Sequence, residues 1–185
     1  MDKRFTIDRE ERLEALFDEY SLSVLFLDYV EDHNPSLRLP YHGWDHLLSV
    51  SYWAGKGGEY HGLSQHIIQS LMIAGLFHDT DYIPGATEER NIQASVDFMR
   101  KSTLVDDEKL VEMLIRATYF PHEKPLTLPS AIIQDADLLQ RLELDYDEFR
   151  QGLNQEKGGR GVDPEFPPIE MLNTEWAKNL YKKSF

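Results

Sequence analysis

The chain has 185 residues, enough for one domain with a sizeable core and too few to expect two ordinary ones. Its 33 acidic against 19 basic residues give a formal net charge of -14, which argues against binding to duplex nucleic acid or an anionic membrane surface, although a small phosphorylated ligand fits where a metal ion concentrates positive charge. With no cysteine, disulfides, thiolate nucleophiles and Cys-type zinc sites are excluded, and any metal must be held by His, Asp or Glu.

The opening stretch, MDKRFTIDREERLEALF, is broken by charge in every turn, unlike the apolar segment of a signal peptide. No run approaches the roughly 18 apolar residues of a membrane span, so we expect a cytoplasmic protein without a membrane partner. From Asp8 to Glu31, apolar residues such as Leu13, Leu16, Phe17, Tyr20, Val24 and Leu27 recur at three- and four-residue spacing and predict one amphipathic helix. NPSLRLP breaks it, and a second helix is expected from near Tyr41 to GKGG, whose glycines read as a stop.

A third helix is expected over about Leu63 to Asp79, before the turn IPG. A fourth follows from about Thr87 as cap, and a fifth begins after Asp106 or Asp107 and is stopped by Pro121. The stretch LPSAIIQDADLLQRL reads as a sixth, with Pro129 in its first turn and Ser130 in the cap region. Two weaker helical stretches, about 146–155 and 169–183, flank the loop EKGGRGVDPEFPP. With no strand alternation and no internal repeat, the expectation is an all-α bundle forming a single domain over residues 1–185.

The third helix carries the first chemical signal. Ile67, Leu71, Ala74 and His78 form one stripe; Ile68, Met72, Gly75 and Asp79 form the next. Both ionisable residues thus continue apolar ridges, and a buried carboxylate needs a cation or a proton. In YHGWDHLLSV, His42 and His46 share a face if that helix begins by Tyr41. In IIQDADLLQ, Asp135 and Asp137 sit amid Ile132, Ile133, Ala136, Leu138 and Leu139, where it is hard for both to face water. Histidines and aspartates on three helices are the donors expected for a hard or borderline divalent ion (Mn, Mg, Fe, Zn, Co or Ni).

These motifs resemble those of the HD-domain superfamily of metal-dependent phosphohydrolases, all-α bundles with a His, a His-Asp dipeptide and a distant Asp in chain order. The resemblance covers about residues 40–140. It implies His46, His78, Asp79 and Asp137 as ligands; Asp137 is preferred because ADLL fits the family's Ala-Asp-x-Leu pattern, with Asp135 held in reserve. YHGWDH is similar to the YHN box of cyclic-nucleotide phosphodiesterases, which implies His42 as general acid. His122, in ATYFPHEKP, stands where some members place a ligand for a second metal. His33, His61 and His66 match no motif element and read as surface or packing residues.

The resemblance implies a hydrolase acting on a small phosphorylated substrate, a nucleotide or related phosphomonoester or phosphodiester, with Asp79 and His42 serving the reaction. Two departures qualify it. HDTDYI lacks the two acids of the HDxxED pattern of alarmone hydrolases, and Tyr82 stands where small nucleotidases carry a water-orienting Glu, a task left to Glu88 or Glu89. Lys124 and Arg160 are the candidate phosphate-binding bases, besides Arg90, Arg141 and Lys157, and EKGGRG could form a lid. The missing acid also admits a metal or nucleotide sensor with little turnover. A third reading, a two-iron oxygenase, would draw on His122 as an extra ligand.

Overall fold

The structure is a computed structural model that describes residues 3–142, 146–156 and 168–184. Its first helix, α1 (Lys3–Glu19), ends early, so the expected single helix from Asp8 to Glu31 is corrected to two. Ser21 takes φ 54°, in the left-handed region. Leu22 N–H donates to the Phe17 carbonyl at 2.8 Å and Ser21 N–H to that of Asp18 at 3.1 Å, the paired bonds of a Schellman stop. The second helix, α2 (Leu25–His33), follows. Leu13, Leu16 and Phe17 from the first, and Phe26, Leu27 and Val30 from the second, are buried; each such side chain contributes about 1.5–3 kcal/mol relative to exposure.

The next helix, α3 (Trp44–Tyr60), starts later than expected and runs straight through GKGG. Those glycines mark close packing: a Cβ on Gly57 would lie 2.7 Å from Ile132 Cγ2 and 2.9 Å from the Trp176 ring. The stop comes past Tyr60, where Gly62 has φ 64°. Against α3 lies α4 (Gln65–Phe77). A Cβ on Gly75 would stand 2.7 Å from Ser51 Cα and 2.8 Å from Ser51 N, so the two backbones touch. Ser51 Oγ donates to the Met72 carbonyl at 2.8 Å across the same contact.

Around this central pair pack α5 (Glu88–Ser102), capped by Thr87, and α6 (Glu108–Ala117), capped by Asp107. Next comes α7 (Leu128–Leu139), with Pro129 in its first turn. Its cap is Thr127, whose hydroxyl accepts from Ser130 N–H at 3.1 Å, rather than Ser130 itself. A 3-10 turn (Gln140–Leu142) follows, then α8 (Tyr146–Glu156). The last expected helix divides into a 3-10 turn (Ile169–Met171) and α9 (Glu175–Ser184). Trp176 and Ala177 join Leu138, Leu139 and Leu172 in a smaller apolar cluster. Among the described residues there is no strand, and no helix is long and apolar enough to cross a membrane.

Candidate metal centre

The α3–α4 contact brings two histidines together. His46 lies on the first turn of α3, and His78 directly follows α4 with helical φ and ψ. His78 Nδ1–H donates to the Gly75 carbonyl at 2.8 Å, an acceptor that fixes the proton on that nitrogen. His46 Nδ1 pairs with Gln140 Oε1 from the 3-10 turn after α7. Each ring therefore turns Nε2 inward, and the two Nε2 atoms meet at 3.0 Å. Lone pairs at that distance repel unless positive charge lies between them, either a proton or a cation.

Two carboxylates complete the cluster. Asp79 Oδ2 is 3.0 Å from His46 Nε2 and 3.1 Å from His78 Nε2. Asp137 Oδ1, from α7, stands 3.4 Å and 3.6 Å from the same atoms. The ligand atoms of all four residues lie within 4.8 Å of one another. Donors about 2.0–2.2 Å from one ion lie roughly 3–3.6 Å apart, so this set suits a divalent cation bound by nitrogen and oxygen.

The turn after His78 is held from outside α4. Asp81 has φ 55°, a conformation open to Asp more readily than to most residues. Its N–H donates to Asn34 Oδ1 at 2.9 Å, and the same oxygen accepts from Ser36 N–H at 3.2 Å and Ser36 Oγ at 2.8 Å. Ser95 Oγ holds the Thr80 carbonyl at 3.0 Å. These buried contacts set where Asp79 leaves the chain.

Electrostatics follow from crowding. Burial pushes the His78 imidazole down, but Asp79 and Asp137 beside it more than offset this and hold it well above the ordinary value of 6.5. Burial pushes Asp79 up, and His78, His42 and His46 bring it well below the carboxylate range. Asp137 behaves alike, lowered by His122, His78 and His46 against burial. The crowding thus favours a charged imidazole on His78 and ionised carboxylates on Asp79 and Asp137.

The other candidates divide. Asp135 does not face the cluster. It is fully buried and accepts from Asn173 N–H at 2.6 Å, Thr174 N–H at 2.8 Å and Thr174 Oγ at 2.6 Å, latching the start of α9. Burial pushes its carboxyl up, which those donors offset only in part. His122 is no surface residue: its side chain is 7% exposed, its Nε2 lies 3.7 Å from Asp137 Oδ2, and neither ring nitrogen has a hydrogen-bond partner among the described residues.

His42 does not share a helical face with His46, because α3 begins only at Trp44 with Gly43 as its cap. Its ring is buried all the same, with Nε2 3.9 Å from Asp79 Oδ2 and Nδ1 against Glu156 Oε2 of α8. Tyr82 stacks on it at 3.7 Å between ring centroids, 17° from parallel. Burial pushes the Tyr82 phenol well above its usual value, so it stays neutral.

The cluster opens into a cleft of about 90 Å³ lined by Tyr82, Glu88, Thr118, Phe120, Leu138 and Leu153 among others. Of the two acids weighed as replacements for the missing Glu, Glu88 borders this cleft, while Glu89 lines a separate cavity of about 530 Å³ between α5, α6 and α7. Lys124, expected as a phosphate-binding base, lines that second cavity too. Arg160 and Lys157 lie outside the described residues, as do the rest of the EKGGRG loop after Glu156 and the Arg141 side chain. His66 pairs with Asp107 at the surface, His33 stacks on Tyr29, and His61 follows the last residue of α3.

Sequence reasoning missed Gln140, Glu156 and Asn34. Gln140 left a trace, a polar residue ending the apolar run after ADLL; the other two left none, since their partners are remote in the chain.

A family model described as HD domain matches residues 43–142 of the chain. No curated protein and no solved structure matches it.

Proposed function

The chain belongs to the HD domain family, whose members are metal-dependent phosphohydrolases, and from that premise we propose that it hydrolyses a small phosphate ester, a nucleotide or related phosphomonoester or phosphodiester. The observation that carries the reading is the convergence of His46, His78, Asp79 and Asp137 on one point beside a cleft. These four residues would hold the ion. When bound, a divalent cation supplies Lewis acidity to a phosphoryl oxygen and to the attacking water.

The rest falls to the chain. Asp79 anchors the cluster on the cleft side, next to His42. His42, its Nε2 facing that same side, is placed to protonate the leaving oxygen. Phe120, Leu138 and Leu153 wall the reacting group from bulk water, which strengthens every charge interaction inside. A cleft of about 90 Å³ takes the phosphoryl group and a water, leaving the organic part of the substrate toward the mouth.

Protein purified without chelator and assayed for metal content, then against p-nitrophenyl phosphate and a nucleotide panel, tests this. We expect a bound divalent ion and hydrolysis, both lost in His78→Ala; a wild-type protein that takes up no metal and turns over none of the panel refutes it. A two-ion version of the same reading draws on His122, whose ring nitrogens have no hydrogen-bond partner among the described residues and whose Nε2 lies beside Asp137. Metal titration to two equivalents, falling to one in His122→Ala, would establish it.

A further inference from the structure

The cavity of about 530 Å³ between α5, α6 and α7 takes no part in the metal chemistry, yet apolar side chains crowd its mouth. Of the large apolar side chains left exposed among the described residues, Met113, Tyr119 and Leu126 line it, and Leu128 follows at the start of α7. Others, such as Leu25 and Tyr60, stand on different helices. Leu126 is 97% exposed, so a leucine stands free at the lip of a hole. An apolar patch gathered in this way on a charged chain marks a place where something docks.

Charge selects the occupant. With a net charge of -14, two copies of the chain repel over most of their surface. Around this cavity, however, Glu89 and Glu123 are matched by Arg116 and Lys124, so its lining is neutral. Arg116 is already engaged by Glu112 at 2.9 Å, with Glu89 at 4.0 Å. The Glu123 carboxylate and the Lys124 ammonium have no ion pair or hydrogen bond among the described residues. An acid and a base in adjacent positions, both free, complement themselves: turned about a two-fold axis, each meets its opposite on the other copy. A knob beside a hole does the same.

We propose that this face joins two copies of the chain about a two-fold axis, Leu126 of each entering the cavity of the other and Glu123 of each facing the other's Lys124. The second copy bears on the stretch from Ala117 to Lys124, which the cavity shares with the metal cleft. Ala117 and Tyr119 line the cavity, whereas Thr118 and Phe120 between and after them line the cleft. Gln134 Nε2 ties this stretch down from α7, donating to the Ala117 carbonyl at 2.9 Å and to the Glu123 carbonyl at 3.1 Å. A copy seated on its outer side backs that wall of the cleft with protein in place of solvent.

Sedimentation equilibrium of the full chain over about 1–100 μM tests this. The wild type should distribute between monomer and dimer. Leu126→Glu, at a side chain that the single chain leaves exposed, should raise the dissociation constant about 100-fold with an unchanged circular dichroism spectrum. Glu123→Lys sets like charges opposite each other and should raise it about tenfold. Adding Lys124→Glu to that variant should restore pairing, because the two-fold axis again sets acid against base. A wild type that stays monomeric leaves the cavity to another occupant and overturns the proposal. So do a dimer untouched by Leu126→Glu, a charge reversal without effect, and a double exchange that pairs no better than the single reversal.

Discussion

Asp135 and Asp137 stand two residues apart on α7 yet serve opposite sides of it. Asp137 Oδ1 faces His46 and His78, while Asp135 takes four donors from Asn173 and Thr174 at the head of α9. The two substitutions should therefore separate cleanly. Asp135→Ala is expected to keep metal binding but to lose about 2–3 kcal/mol in denaturant unfolding, because buried N–H and O–H groups lose their acceptor. Asp137→Ala should remove the metal from purified protein, and elemental analysis of both variants decides between these roles.

Metal uptake should release protons. His78 is raised above 6.5 in the metal-free protein, so near neutral pH its imidazole is charged and must give up a proton before its nitrogen can coordinate. Affinity should then fall as pH falls through the raised His78 value. Titration calorimetry at pH 7 in buffers of differing ionisation enthalpy should give about one proton released per ion. Saturation at about 100-fold over Kd should stabilise the fold by about 2.7 kcal/mol, a shift absent from His78→Ala.

Gly75→Ala tests whether the histidines owe their separation to backbone contact. The added methyl would press on Ser51 and push α3 from α4. Overpacking of this kind costs about 1–3 kcal/mol, and the displaced rings should weaken metal binding besides. A variant that loses stability but binds metal as tightly as wild type would show that the ligands adjust independently of the helices.

The Glu156 contacts should appear in acid unfolding. Burial pushes this carboxyl up, but the His42 ring and the Tyr41 and His42 N–H groups bring it below the ordinary 4.5. A group whose folded value is depressed contributes stability above its unfolded value and loses it as pH falls through the folded one. The difference in Tm between wild type and Glu156→Gln should thus be full above about pH 5 and shrink below 4.5. A difference constant from pH 7 to pH 3 would contradict it.

Much of the candidate site is legible in the sequence because its signals are local. His78 and Asp79 end apolar stripes of one helix, and Asp137 lies in a hydrophobic run of another. The long-range contacts around the site are another matter: Glu156 meets His42 across 114 residues, Gln140 meets His46 across 94 and Asn34 meets Asp81 across 47. Local reading misled where tertiary contact overrode propensity. The glycines of GKGG look like a stop but lie inside α3, since Ile132 and Trp176 need the space a side chain would fill. The turn at Ser21 escaped notice because neither glycine nor proline marks it, only a left-handed serine. Asp135 and Asp137 could not be told apart from residues alone, since a buried acid can answer to a latch as well as to a cation.

The Asn34 oxygen that receives the Asp81 N–H belongs to the segment between α2 and α3, ahead of the stretch from 43 to 142. Glu156 and the Thr174 latch lie beyond its other end. A fragment trimmed to those limits would carry all four metal-facing side chains and none of these three holders. The centre is accordingly only partly portable: Gly75 and Gln140, which turn the two imidazoles, travel with the family core, but the turn that carries Asp79 is held from the flank by Asn34, and grafting the motif alone onto another bundle would leave that hold behind.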